Sequence, residues 1–292
     1  MCRVLELLSM LETGQCMAEQ LVFIFGFDRS GTTALARVLA AHPDTELLMQ
    51  PFNSSEFRQR MYDILNNENV SATQRQFIEG LTKGVIDTAY ISSPWFFKYS
   101  TTETWKTGQL HIVKSTISHF LLPWLVCEFP MTGVWGIWRQ PVDVIDSIFR
   151  NNFQGWYAGA IPCLKETVKS CNQLRQSFPD ESFDGLSAVG EVAMNFAIRS
   201  FHLFQHLPTG NVIWYDEFCR SPNVAVERFR ERFGLRQVDV AHLANRDLNM
   251  TGRKRNAHTA CLTARDVAEI QRITEPAIEL MESRHGKFRQ HN

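Results

Sequence analysis

The run Val22-Phe23-Ile24-Phe25 leads directly into Gly26-Phe27-Asp28-Arg29-Ser30-Gly31-Thr32-Thr33, and this junction constrains the fold more than any other stretch of the chain. Consecutive large apolar residues closed by a glycine predict a strand buried on both faces. Leu35, Val38 and Leu39, at helical spacing, predict a helix beyond a tight turn. A turn of this kind is an anion cradle. Gly26 and Gly31 let the backbone fold back over the helix start, where unpaired N–H groups and the positive end of the helix dipole face outward. Arg29 adds a cation, and the hydroxyls of Ser30, Thr32 and Thr33 add donors suited to phosphate oxygens.

The two glycines have the G-x-x-x-x-G spacing of a P-loop, but Thr32 stands where nucleotide triphosphatases need the lysine that reaches the β- and γ-phosphates. Its absence, with Arg29 earlier in the loop, argues for a phosphate donor other than ATP. The alternative is an ordinary strand, glycine-rich turn and helix.

Further candidate elements follow in an alternating order. Glu46 to Gln50 form a second short extended segment stopped by Pro51, and residues 54–84 read as mostly polar helix with Phe57, Met61, Ile64 and Leu65 on one stripe. Residues 91–105, with Trp95, Phe96 and Phe97, show no clean period and are either a core-packing loop or part of an acceptor pocket. His111-Ile112-Val113-Lys114 is a strand ending in a lysine, with Ser115 or Thr116 placed to cap the apolar helix after it. Gly133 to Trp138 is a strand followed by Arg139-Gln140-Pro141 and a helix carrying Val144, Ile145, Ser147, Ile148 and Phe149. Residues 159–182 read as polar and irregular, and Val189 to Phe204 as an amphipathic helix.

Asn211 to Asp216 is a further strand, followed by a helix from Asn223 to Phe233. Thr263-Ala264-Arg265-Asp266 opens a last helix that Pro276 is expected to kink or interrupt. Strands alternating with helices imply an α/β fold of three layers with a mostly parallel central sheet. An arginine leaving one strand end and a serine on the next helix, Arg139 and Ser147, can converge on one anion. Arg253-Lys254-Arg255 is the densest basic cluster, in a loop opened by Gly252.

The length of 292 residues is read as one domain, 1–292, with residues 1–20 as an N-terminal extension and 250–260 as a basic covering loop. The net charge of −1 gives no global attraction to nucleic acid or to anionic membrane, so any anion site is local. Seven cysteines without a C-x-x-C pair point to reduced thiols, hence to a cytoplasmic protein rather than a disulfide framework or zinc site. The apolar patch from Val4 to Leu11 is too short to span a bilayer and lacks the basic start of a signal peptide.

Taken together, these pieces resemble the sulfotransferases that use 3′-phosphoadenosine 5′-phosphosulfate (PAPS). Arg29 to Thr33 is similar to the loop that grips the 5′-phosphosulfate, in the arginine form of carbohydrate and tyrosyl members, and Ala40-Ala41-His42-Pro43-Asp44 continues the likeness. Arg139, Pro141, Asp143, Val144 and Ser147 resemble the family's 3′-phosphate motif. Tyr215-Asp216-Glu217-Phe218 resembles the element whose tyrosine lies by the adenine. Arg253, Lys254 and Arg255 fall where the family has a basic loop over the 3′-phosphate, and Lys114 where a lysine meets the sulfuryl group.

The resemblance implies a P-loop-like sulfotransferase fold and transfer of a sulfuryl group to a hydroxyl or amine of a small-molecule or sugar acceptor. PAPS is the donor and 3′-phosphoadenosine 5′-phosphate the product, with no metal, nucleic acid or membrane partner. Gln50, Phe52, Trp95 and Phe96 are the acceptor-side candidates. Two departures concern the general base. Thr116 stands where cytosolic members have histidine, and Gln50 where carbohydrate and tyrosyl members have glutamate. His119, one helical turn beyond Thr116, is the substitute expected from spacing. Glu46, Glu56, His42 and His111 are further candidates, and an already reactive acceptor needs no base. The competing readings are a P-loop kinase of a small metabolite, with Asp28 near a metal, and a nucleotide-binding protein without catalysis.

Overall fold

The computed structural model describes residues 21–53, 55–83, 85, 110–129, 133–238 and 261–286. The N-terminal extension, Trp95, Phe96 and the cluster Arg253-Lys254-Arg255 lie outside the described residues, as does the side chain of Glu56.

Strand β1 (Leu21–Phe25) is buried along its whole length and leads into helix α1 (Thr32–Ala40). Strand β2 (Thr45–Met49) and a 3-10 turn (Pro51–Asn53) precede helices α2 (Ser55–Gln59) and α3 (Ala72–Thr82). Strand β3 (Leu110–Ser115) leads through a 3-10 turn (His119–Leu121) to helix α4 (Leu122–Glu128). Then come β4 (Gly133–Trp138), α5 (Pro141–Arg150), α6 (Ile161–Ser170), α7 (Asn172–Ser177) and the long α8 (Ala188–His206). Strand β5 (Val212–Trp214) is followed by α9 (Tyr215–Arg220), α10 (Pro222–Arg232) and α11 (Ala264–His285).

The five strands form one sheet in the order β2-β3-β1-β4-β5, and every pairing is parallel. Successive residues of a strand face opposite sides of a sheet, so the unbroken apolar run of β1 feeds two cores. Leu21, Phe23 and Phe25 join α4, α5, α8 and α11 on one face. Val22 and Ile24 join α1 and α10 on the other. This is the three-layer α/β arrangement that the alternation of elements implied.

Four local expectations are corrected. Residues 54–84 are two helices, because the Asn66 carboxamide oxygen accepts from the amides of Glu68 and Asn69 in a turn, and α3 restarts on a capping box of Ser71 and Gln74. Residues 159–182 contain α6 and α7, which bury Leu164, Val168 and Leu174. Their apolar positions are too sparse to stand out as a period. Neither Ser115 nor Thr116 caps α4. The Ser115 hydroxyl accepts from the Ile117 amide, and Ser118 to Leu121 make the entry. Pro276 does not end α11, which runs on to His285 with Ile270, Ile273, Ala277 and Met281 buried in the α8 core. Packing there outweighs the hydrogen bond that proline cannot donate.

Phe52 is also placed differently from expectation. Its ring is fully buried, 6.1 Å from Phe23 and 5.0 Å from Phe57, so it belongs to the core and not to an acceptor wall. Phe52→Ala is therefore expected to destabilise the protein by about 3–5 kcal/mol, seen as a lower midpoint in urea unfolding.

Candidate functional site

In a parallel sheet all strands end at the same edge, and here each end carries a candidate residue. Gly26 to Gly31 follow β1, Gln50 follows β2, and Lys114 is the penultimate residue of β3. Arg139 follows β4, and Tyr215 follows β5. The helices after β1 and β4 leave on opposite faces of the sheet, which opens a crevice between the two strands where α/β folds take ligands.

The loop after β1 is held by its own backbone. Ser30 donates both its amide, at 3.1 Å, and its hydroxyl, at 2.6 Å, to the Phe27 carbonyl. Arg29 has φ of 67°, and Gly31 has φ of 98° at the start of α1. No side chain caps that helix start, so its first N–H groups remain directed at the loop. A Cβ on Gly31 would stand 2.4 Å from Cδ2 of Tyr215, so the tyrosine ring lies directly on the glycine.

The two distant polar clamps meet here. Arg29 Nε donates to the Ser147 hydroxyl at 3.1 Å, and Arg139 Nη1 donates to the Arg29 carbonyl at 2.9 Å. The Arg139 guanidinium stacks over the Tyr215 ring at 4.6 Å, and that of Arg29 lies over Phe153 at 5.4 Å. Among the described residues neither arginine is ion-paired, and Nε of Arg139 is buried without a hydrogen-bond partner. Burial and the charge of Arg139 both push the Arg29 pKa down, with Asp28 opposing. Burial also pushes the Tyr215 hydroxyl up to about 12, so it stays protonated. Thr32 is buried at the helix start, and Thr33 is partly exposed beside it.

Lys114 is 3% exposed, and among the described residues its ammonium makes no hydrogen bond. Burial lowers its pKa to about 8, an effect that the charge of Asp28 partly offsets. Asp28 accepts a hydrogen bond from the Tyr157 hydroxyl at 3.0 Å.

The two positions where the base was expected are bonded to each other. Gln50 Nε2 donates to the Thr116 hydroxyl at 2.6 Å, and its Oε1 accepts from the Thr116 amide at 3.0 Å. The Gln50 backbone has φ of 53°, and its N–H donates a hydrogen bond to the Lys114 carbonyl at 2.8 Å. Gln50 thus closes the end of β3, with both ends of its carboxamide bonded to Thr116.

His119 is fully buried. Its Nδ1 accepts from Arg199, 3.2 Å from Nε and 3.0 Å from Nη2, which leaves the proton on Nε2. Burial, then Arg199 and His202, hold its pKa well below the usual imidazole range. The expected role as general base is revised: the only lone pair is occupied by a guanidinium, so His119 is a positioning residue. The other candidates lie elsewhere. His42 bonds the Arg236 carbonyl, and Glu46 pairs with His111 at 3.7 Å near the starts of β2 and β3. Among the described residues no group of His, Cys, Asp and Glu is placed to hold a metal ion, and no helix is long and apolar enough to cross a membrane.

Sequence reasoning missed Phe153, Tyr157, Asn195 and Arg199. The last two had a signal. Asn195, Arg199 and His202, at i, i+4 and i+7, put a polar stripe on a helix face that is otherwise apolar and buried.

The chain belongs to the sulfotransferase family, whose sequence profile matches residues 21–184. Among solved structures it is similar to the sulfotransferase STF1 of Mycobacterium tuberculosis H37Rv, at 14% identity over 91% of this chain and 79% of that one, with a TM-score of 0.42. No curated protein sequence matches it closely enough to count as a relative.

Lys114 generates a prediction about stability. Its folded pKa of about 8 lies below the 10.5 of the unfolded chain, so between those values the unfolded state binds more protons. Wild-type stability should accordingly rise with pH relative to Lys114→Met, by about 1.4 kcal/mol per unit between pH 8 and 10.5. Urea titrations of both proteins across that range check it, and a constant difference would contradict the burial argument.

Proposed function

We propose that this protein moves the sulfuryl group of PAPS to a hydroxyl or amine of a small-molecule or sugar acceptor, as one catalytic domain. The observation that carries the reading is the meeting of Arg29, Ser147 and Arg139 over an uncapped helix start, with two guanidiniums close together and unpaired among the described residues. Such a place is built for more than one anionic group. The fit extends to the orphaned Nε of Arg139 and to Gly31, where any Cβ would push Tyr215 out of the cleft.

In this reading Arg29, the Ser30 to Thr33 backbone and the hydroxyls of Thr32 and Thr33 hold the phosphosulfate. Lys114 stabilises the charge that develops on the leaving phosphate oxygen. Arg139 and Ser147, joined by Arg253, Lys254 and Arg255, select the 3′-phosphate, and Tyr215 lies by the adenine. Catalysis is then mainly positioning plus preorganised charge. Trp95 and Phe96 remain the proposed acceptor-side residues. His119 keeps Arg199 and the end of β3 in place.

Calorimetry with adenosine 3′,5′-bisphosphate tests the assignment, with ATP and AMP as competitors. Arg139→Met should weaken bisphosphate binding about tenfold to a hundredfold, the loss of one charge-assisted contact, while changing AMP binding less than about threefold on the same reasoning. Magnesium-dependent ATP turnover, or ATP binding more tightly than the bisphosphate, would overturn it in favour of a kinase.

A further inference from the structure

Sulfuryl transfer to a hydroxyl needs somewhere for the proton to go, and the positions expected to supply a base do not. Thr116 and Gln50 are locked together, His119 has no free lone pair, and Glu46, His111 and His42 are bound away from the loop. One carboxylate is different. Asp28 stands inside the loop itself, three residues beyond the end of β1, whose Ile24 is the cross-strand partner of Lys114. It is partly exposed. One of its oxygens, Oδ2, accepts from Tyr157, and among the described residues the other accepts no hydrogen bond.

Tyr157 is itself fixed. Its ring is buried and stacked on Phe27 at 5.5 Å and 16°, so its hydroxyl can be aimed at little else. A carboxylate in an anion cradle is a cost to donor binding unless it has work to do there. Asp28 is surrounded by cations: Arg29 follows it in the loop and Lys114 feels its charge from β3. Neither bonds its second oxygen among the described residues.

We propose that Asp28 is the general base of the transfer and that Tyr157 positions it. The inference rests on the sulfotransfer reading above. As the acceptor oxygen forms its bond to sulfur, its proton passes to the free carboxylate oxygen of Asp28. The bond between sulfur and the bridging oxygen breaks with its electron pair going to the 5′-phosphate, beside Lys114. Asp28 then releases the proton to water. In this proposal the base and the cation serve the two ends of one in-line displacement and are supplied by adjacent strands, β1 and β3.

The experiment uses the full chain with sulfur-labelled PAPS, and measures sulfuryl transfer to water, glycerol, glucose, tyramine and phenol beside the affinity for adenosine 3′,5′-bisphosphate. Asp28→Asn should slow transfer by about a hundredfold or more, with bisphosphate affinity unchanged or tighter, because a negative charge has left the cradle. Transfer by Asp28→Asn within about fivefold of wild type overturns the proposal. So does a wild-type protein that binds the bisphosphate and moves sulfuryl to none of these acceptors. Failure to bind the bisphosphate at all removes the sulfotransfer reading instead. Should Asp28→Asn not fold, Tyr157→Phe decides: it should bind the bisphosphate normally and transfer about tenfold more slowly, and an unchanged rate overturns the assignment.

Discussion

The contact between the loop after β1 and the loop after β4 is the interaction on which the rest of the site depends. Arg139 reaches back to the Arg29 carbonyl, and Arg29 reaches forward to Ser147, so each clamp fixes the other across more than a hundred residues of chain. The parallel sheet makes this possible. β1 and β4 are hydrogen-bonded neighbours, with Phe25 opposite Gly136, and their carboxyl ends lie side by side. An antiparallel pairing would have sent the two loops to opposite edges. Gly136 matters for a related reason: a Cβ there would stand 2.8 Å from Leu207, so the strand can approach α8 closely only without a side chain.

Much of this frame was legible in the sequence because the signals were local and redundant. The buried run of β1, the glycines at 26 and 31 and the eight-residue interval from Arg139 to Ser147 each point to one local structure, and the structure brings them together. Phe52 and His119 were misjudged for a common physical reason. Sequence proximity to Gln50 and Thr116 suggested the cleft, but the chain turns at both places and directs these side chains inward, Phe52 to an aromatic cluster and His119 to Arg199. Helices α6 and α7 were hidden because they bury few residues. A period read over a window has little to register when Leu164, Val168 and Leu174 are the only fully buried apolar residues of the two helices.

Arg199 carries the least local information and has wide structural reach. A fully buried guanidinium is costly unless its donors are satisfied, and here they are met by Asn195, His119 and the Thr116 carbonyl, with the Phe27 ring 4.7 Å away. Asn195 in turn donates to the Tyr62 hydroxyl, and Thr116 is bracketed by Gln50. The end of β3 is thereby held through neutral groups and a single cation. This accounts for an amide at position 50. A carboxylate there would have to meet the Thr116 amide and hydroxyl in a dry site close to Arg199, and would be drawn into that network instead of standing free.

Charge balance gives the argument its final step. Arg29, Lys114, Arg139 and Arg199 converge behind and around the loop, which itself carries the Asp28 carboxylate. Burial lowers the pKa of Lys114, and the charge of Asp28 offsets its lost hydration only in part. An anion entering the cleft would supply what the protein alone does not, and would bind more tightly because the cations are already fixed in place at the expense of folding stability. Asp28 stands in the same loop with one carboxylate oxygen bonded to Tyr157, so the fixed positive charge and the carboxylate of the proposed proton acceptor are set in place by one backbone turn.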